Sequence, residues 1–190
     1  MKKVILTVFA ATSLLLYSTP SFALFSVSVG IPMSQTITGK QAGESYGNAP
    51  DKTSGYFLAV QLPFALGFGI DSYTTKFKTD GSDGSHDAKY DAGLKTNMTN
   101  IFYQLPVPVV NLIIGLGMGT TEMDCTVCSG IFDKGSATQW YTSIGMPLIP
   151  LFDIHLSYRS ITAKNIKKKE TGKKDDNSGS VTGIGIAFNF

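Results

Sequence analysis

Three long stretches without a charged residue constrain this chain most: 53–70, 96–121 and 135–152. Each is apolar enough to suggest a membrane helix. Each also carries proline near its middle: Pro63; Pro106 and Pro108; Pro147 and Pro150. Proline lacks the backbone donor and clashes with the preceding turn, so no helix runs through these points. Gly115, Gly117 and Gly119 weigh against a helix in the second stretch. Divided at their prolines, the stretches become paired segments of about ten residues, the length of a tilted membrane strand.

Alternation identifies the remaining strands and their faces. The chain closes on Val181-Thr-Gly-Ile-Gly-Ile-Ala-Phe-Asn-Phe190. Thr182, Ile184, Ile186, Phe188 and Phe190 share one face, and Val181, Gly183, Gly185, Ala187 and Asn189 the other. The same reading gives eight strands, near 24–32, 55–62, 66–78, 90–105, 111–123, 137–146, 151–163 and 180–190. Short apolar turns join them at Pro63–Ala65, Pro106–Val110 and Pro147–Pro150, and polar loops at 33–54, 79–89, 124–136 and 164–179. Short turns at one end and long loops at the other belong to transmembrane barrels. The predicted fold class is all-β, an eight-stranded antiparallel up-and-down transmembrane β-barrel. The even strand count puts both termini at the short-turn end.

One face is apolar on strand after strand: Phe25, Val27, Val29 and Ile31; Leu58, Val60 and Leu62; Ile114, Leu116 and Met118; Ile154, Leu156 and Tyr158. The opposite face holds Ser26, Ser28, Gln61, Asp71, Gln139, Ser143, Asp153, His155, Ser157, Arg159 and many glycines. A soluble barrel would carry the reverse pattern. The fourth strand changes parity between Leu94-Thr96-Met98 and Ile101-Tyr103-Leu105, which predicts a β-bulge near Met98–Asn100. Tyr56, Tyr90, Tyr103, Trp140, Tyr141, Phe152, Tyr158, Phe188 and Phe190 fall near strand ends, where outward aromatics form interfacial girdles, though Tyr141 has inward parity.

The N-terminus predicts a removable leader. Lys2 and Lys3 precede an apolar run from Val4 to Tyr17, and Ser21-Phe22-Ala23 is a small-residue cleavage site. The predicted domains are a signal peptide, 1–23, for export through the Sec pathway, and a barrel, 24–190. Without Lys2 and Lys3, the 16 Lys+Arg fall to the number of Asp+Glu, 14. A near-neutral mature chain offers no concentrated basic surface for nucleic acid.

The pattern over 24–190 resembles the small eight-stranded outer-membrane proteins of the OmpA transmembrane-domain, OmpX and OmpW type. The aromatic terminus resembles the C-terminal signal strand of bacterial outer-membrane barrels, with Ile186, Phe188 and Phe190 in that role. The resemblance implies the bacterial outer membrane as location and the assembly machinery as a partner. It further implies contact with outer-membrane lipid and lipopolysaccharide, a monomeric state and no cofactor.

Chemistry-bearing residues cluster in two places. Asp71, Lys95, Asp153, His155 and Arg159 are expected to line the lumen, where an eight-stranded barrel is just wide enough for side chains. Buried charges must pair. Asp153 and Arg159 lie about 20 Å apart along one strand at ~3.3 Å per residue, so Asp71 is the expected partner of Arg159. The loops hold Cys125-Thr-Val-Cys128, a disulfide spacing in an exported protein, and the lysines 164, 167, 168, 169, 173 and 174, a surface for anionic groups. Zinc would need two more ligands than the cysteines supply. The Asp80–Asp87 loop lacks the twelve-residue calcium pattern, so no metal site is expected. His155-Leu156-Ser157 resembles the H-x-S motif of the outer-membrane lipid A deacylases. That family's Asn after Ser is Tyr158 here, and its Glu is matched only by Glu170 in the lysine-rich loop. Three functions follow: a non-enzymatic membrane anchor whose loops bind an extracellular ligand, a narrow pore for ions or small solutes, and a lipid A-modifying enzyme.

Overall fold

A computed structural model describes residues 25–41, 44–48, 50, 52–82, 87–105, 107, 110–124, 128–149, 151–164, 166–172 and 174–190. The expected leader lies outside them. Among the described residues there are ten strands: β1 (Ser26–Gln41), β2 (Glu44–Asn48), β3 (Lys52–Gln61), β4 (Leu66–Ser82), β5 (Asp87–Leu105), β6 (Asn111–Asp124), β7 (Gly135–Ile149), β8 (Phe152–Lys164), β9 (Ile166–Lys167) and β10 (Lys174–Asn189). Eight of them form a closed antiparallel barrel in the order β1-β3-β4-β5-β6-β7-β8-β10, with β10 pairing back onto β1. β2 extends the sheet beside the far half of β1, and β9 pairs with the first residues of β10.

At the short-turn end, a 3-10 turn, Pro63–Ala65, joins β3 to β4. Leu62 N–H donates to the Leu66 carbonyl at 2.7 Å, and Phe64 projects outward almost fully exposed. The seam closes at the same end. Phe190 N–H donates to the Phe25 carbonyl at 2.8 Å, and Phe25 N–H returns a bond to Phe190 at 3.2 Å. At the other end, backbone bonds join the segments after β6 and β8: Asp133 N–H donates to Lys167 and Lys169 N–H to Ile131, at 2.9 and 2.8 Å. A one-turn helix, α1 (Cys128–Ile131), lies beside this junction.

The outer wall is divided by height. An apolar belt runs round the barrel near the short turns, from Phe25, just before β1, and Val27, Val29, Ile31 and Met33 on β1 to Ile184, Ile186 and Phe188 on β10, all exposed. Trp140 packs against Tyr158 at the belt's loop-side edge, and Phe152 against Phe188 near the short turns. Beyond the belt the outer wall turns polar. Ser34 and Thr36 of β1 hydrogen-bond to Thr182 and Ser180 of β10, each at 2.7 Å. The inner wall changes in the opposite sense. Within the belt it is polar. Towards the loops it becomes largely apolar, with Phe57, Tyr73, Met98, Ala137, Ile161, Ala163 and Val181 in one cluster and Ile37, Leu94 and Ile166 in the next.

This inversion corrects two expectations. The strands outrun their predicted ends, so much of the predicted loops 33–54 and 164–179 is β-structure. Ladders rich in Ser and Thr carry no lipid-facing signal, yet these residues suit a half-buried pleated wall. The predicted bulge in the fourth strand is absent: β5 pairs without a register shift to both neighbours. Leu94 and Met98 point inward with Asn100 and Phe102, because the lumen is apolar at their height. The register shifts fall instead at Pro32–Ser34 and Pro147–Ile149, where proline has no N–H for the ladder.

Leu156 sits within the belt, 61% exposed, between Ile144 and Ile184 on the flanking strands. Leu156→Lys is expected to cost about 2–4 kcal/mol of stability in a lipid bilayer, and Leu156→Ala far less. Urea unfolding in phospholipid vesicles measures both. A lysine tolerated without cost would place this wall in water.

Candidate functional site: the filled lumen

Glycine opposite a large side chain sets the geometry of the inner wall. Gly67 faces Phe102, Gly115 faces Tyr141 and Gly145 faces His155, each pair directly cross-strand. A Cβ on any of these glycines would overlap the opposing ring, as one on Gly183 would overlap Phe57. The missing side chains let the rings lie flat across the neighbouring strand, within a barrel too narrow to hold them upright.

Arg159 lies at the centre. Its Nε donates to Asp71 Oδ2 at 3.0 Å, and both side chains are almost wholly buried. Its Nη1 donates to Ser157 Oγ at 2.5 Å, and Ser157 donates to the Gly183 carbonyl at 3.2 Å. The guanidinium also stacks on Phe57, 3.5 Å from the ring centroid, with Tyr141 at 5.0 Å. Gln139 Nε2 donates to Asp71 at 2.7 Å and to Asn100 at 2.6 Å. The charge is thus paired, hydrogen-bonded and covered by aromatic faces.

A second network lies nearer the short turns around Asp153. Asn111 and Asn189 both donate to Asp153 Oδ2, the latter at 2.9 Å. Gln104 donates to Asn111 at 2.6 Å. His155 Nδ1 is 3.3 Å from Ser143 Oγ, while its Nε2 stands 3.8 Å from Asp153, beyond hydrogen-bond length. A cavity of about 60 Å³ adjoins Arg159, Ser157 and His155, and one of about 20 Å³ adjoins Asp153, Asn111 and Asn189, each with room for a few waters at most.

The structure therefore brings Asp71 to Arg159, and His155 beside Asp153. Lys95 is a correction. It is exposed on the outer wall, because the unbroken register of β5 turns Thr96 inward and Lys95 out. Asn100 was missed for the same reason. Gln104 was open to sequence reasoning, since it has the parity opposite to Tyr103 and Leu105. In the H-x-S segment, the hydroxyl of Ser157 is engaged by Arg159 and Gly183, and the His155 ring meets Ser143 instead. Glu170 is exposed on the loop after β9.

Of the loop residues, Cys125 and Lys173 lie outside the described residues, as does the side chain of Cys128. Lys164, Lys167, Lys169 and Lys174 are exposed and Lys168 half-buried. Lys169 Nζ is 4.0 Å from Asp133. Ile186 and Phe188 face outward on β10.

No protein-family profile and no curated protein sequence matches this chain. Solved structures do match its shape. Neisserial surface protein A (NspA) aligns over 87% of this chain and 97% of its own, with a TM-score of 0.60 at 15% identity. The fold is that of the small eight-stranded outer-membrane barrels. The outer membrane protein AlkL, solved by solid-state NMR in DMPC bilayers, aligns over 89% of this chain and 90% of its own, with a TM-score of 0.56 at 10% identity. At such identities the shared property is the barrel.

Proposed function

We propose that this protein is an outer-membrane anchor, inserted through the apolar belt, that holds its loop-end surface outside the cell to bind an extracellular partner. The filled lumen carries this reading. A buried, paired Arg159 and an apolar cluster beyond it fill the width of the barrel, and the cavities beside Arg159 and Asp153 measure about 60 and about 20 Å³. The joined segments after β6 and β8 support a role for the loop end, since a braced surface presents side chains with less ordering cost on binding. The hydroxyl of Ser157, held inside the wall by Arg159 and the Gly183 carbonyl, is turned away from a membrane substrate, which supports a non-enzymatic role.

Planar-bilayer recording tests the anchor against the pore. The expected result is an unchanged baseline with the wild-type chain at moderate voltage. Reproducible single-channel steps would sink the anchor reading and favour a conduit. Intact-cell binding by loop-deleted variants then locates the partner's surface.

A further inference from the structure

Lys95, displaced from the lumen, belongs to a cluster on the outer wall. Lys52 of β3 pairs directly across the ladder with Lys76 of β4. Lys95 of β5 pairs with Thr74, one diagonal step from Lys76. All three are exposed, and none has a salt bridge among the described residues. Glu122 is the cross-strand neighbour of Lys95, but its carboxylate is bound to Lys134 at 2.9 Å. Asp124 stands two strands from Lys76, beyond Gly93. Like charges directly opposite in a sheet repel, so this arrangement is relieved by an anion between them.

Height selects the anion. Lys52 is four residues beyond Tyr56, the last apolar residue of the belt on β3. At ~3.3 Å per residue and a tilt near 40°, that is about 10 Å above the belt edge. The headgroup layer of a phospholipid is only about 5–7 Å deep. The interval between belt and lysines carries Ser54, Ser72, Thr74 and Asn97, donors and acceptors suited to sugar hydroxyls.

We propose that Lys52, Lys76 and Lys95 form a docking site for the phosphate groups of a phosphorylated sugar-headed lipid in the leaflet facing the loops. The site rests on the reading of the belt as lipid-facing. It is separate from the lysines of the segment after β8, and places the lipid against the barrel wall over β3, β4 and β5.

The test uses the full-length wild-type barrel in neutral phosphatidylcholine nanodiscs doped with bisphosphorylated lipid A, with retained lipid counted by native mass spectrometry. Lys52→Gln/Lys76→Gln/Lys95→Gln should weaken retention about tenfold, as loss of charge-assisted contacts predicts. Arginine at the same three positions should preserve it. Lys164→Gln/Lys167→Gln/Lys174→Gln should leave it unchanged, and dephosphorylated lipid A should be retained as poorly by wild type as by the first variant. Equal retention by both glutamine variants, or full displacement of lipid A by millimolar inorganic phosphate, would overturn the proposal. A wild-type chain that failed to insert would overturn the belt reading and this site together. Normal insertion with indifferent lysines would overturn this site alone.

Discussion

Arg159→Met is expected to destabilise the barrel by about 3–5 kcal/mol, the magnitude for stranding one member of a buried ion pair. The variant leaves Asp71 with Gln139 as its remaining partner in a narrow lumen. It also removes the cation from between Phe57 and Tyr141. Asp71→Asn strands the guanidinium instead. Combining the two substitutions should cost less than the sum of the single losses, because neither charge is then left alone. Urea midpoints in phospholipid vesicles give all three values. Simple additivity would mean that the 3.0 Å contact is energetically idle. Arg159→Lys should fall between wild type and Arg159→Met, since an ammonium keeps the charge but cannot make the fork of bonds to Asp71 and Ser157.

Phe188→Ala/Phe190→Ala should abolish most of the yield of heat-modifiable, protease-resistant barrel in cells. Phe188 packs on Phe152 with ring centroids 4.7 Å apart, and Phe190 makes the last backbone pair of the seam with Phe25. Closing the sheet pairs the first and last barrel strands along their length, so damage here affects the whole wall. Spontaneous refolding into vesicles separates two causes. A small loss in vesicles with a large loss in cells identifies a signal read by assembly factors. An equal loss in both identifies a purely structural seam. Normal yield in cells would remove the last strand from any special role.

Much of this barrel was legible because its belt obeys one rule: apolar out, polar in. Leu156 against His155, and Ile186 against Gly185, reveal their faces by chemistry alone. The rule fails above the belt, where both solvents change sides. Leu94 and Met98 read as lipid-facing because they are apolar, and Lys95 as luminal because it is charged. Each points the other way, since the outer wall is polar at that height and packed apolar clusters hold Leu94 and Met98 inside. A parity argument cannot locate this crossover, for alternation is the same on either side of it. The Asp71–Arg159 pair was accessible to strand arithmetic, which excluded Asp153. The network at Asp153 was not, since Gln104, Asn111 and Asn189 are uncharged and no charge rule ties them to Asp153.

The glycines beneath the lumen rings divide the chain into two regimes of mutational drift. A belt residue such as Val60 or Ile144 answers only to fluid lipid, so it can exchange with any apolar neighbour independently. Gly115 and Tyr141, or Gly145 and His155, answer to each other. Enlarging the first forces out the second, and trimming the second leaves a hollow that only a change at the first can fill. Inner positions are therefore expected to move in correlated pairs and outer ones singly, so that covariation among sister sequences would trace the inside of the barrel while the outside stays statistically silent.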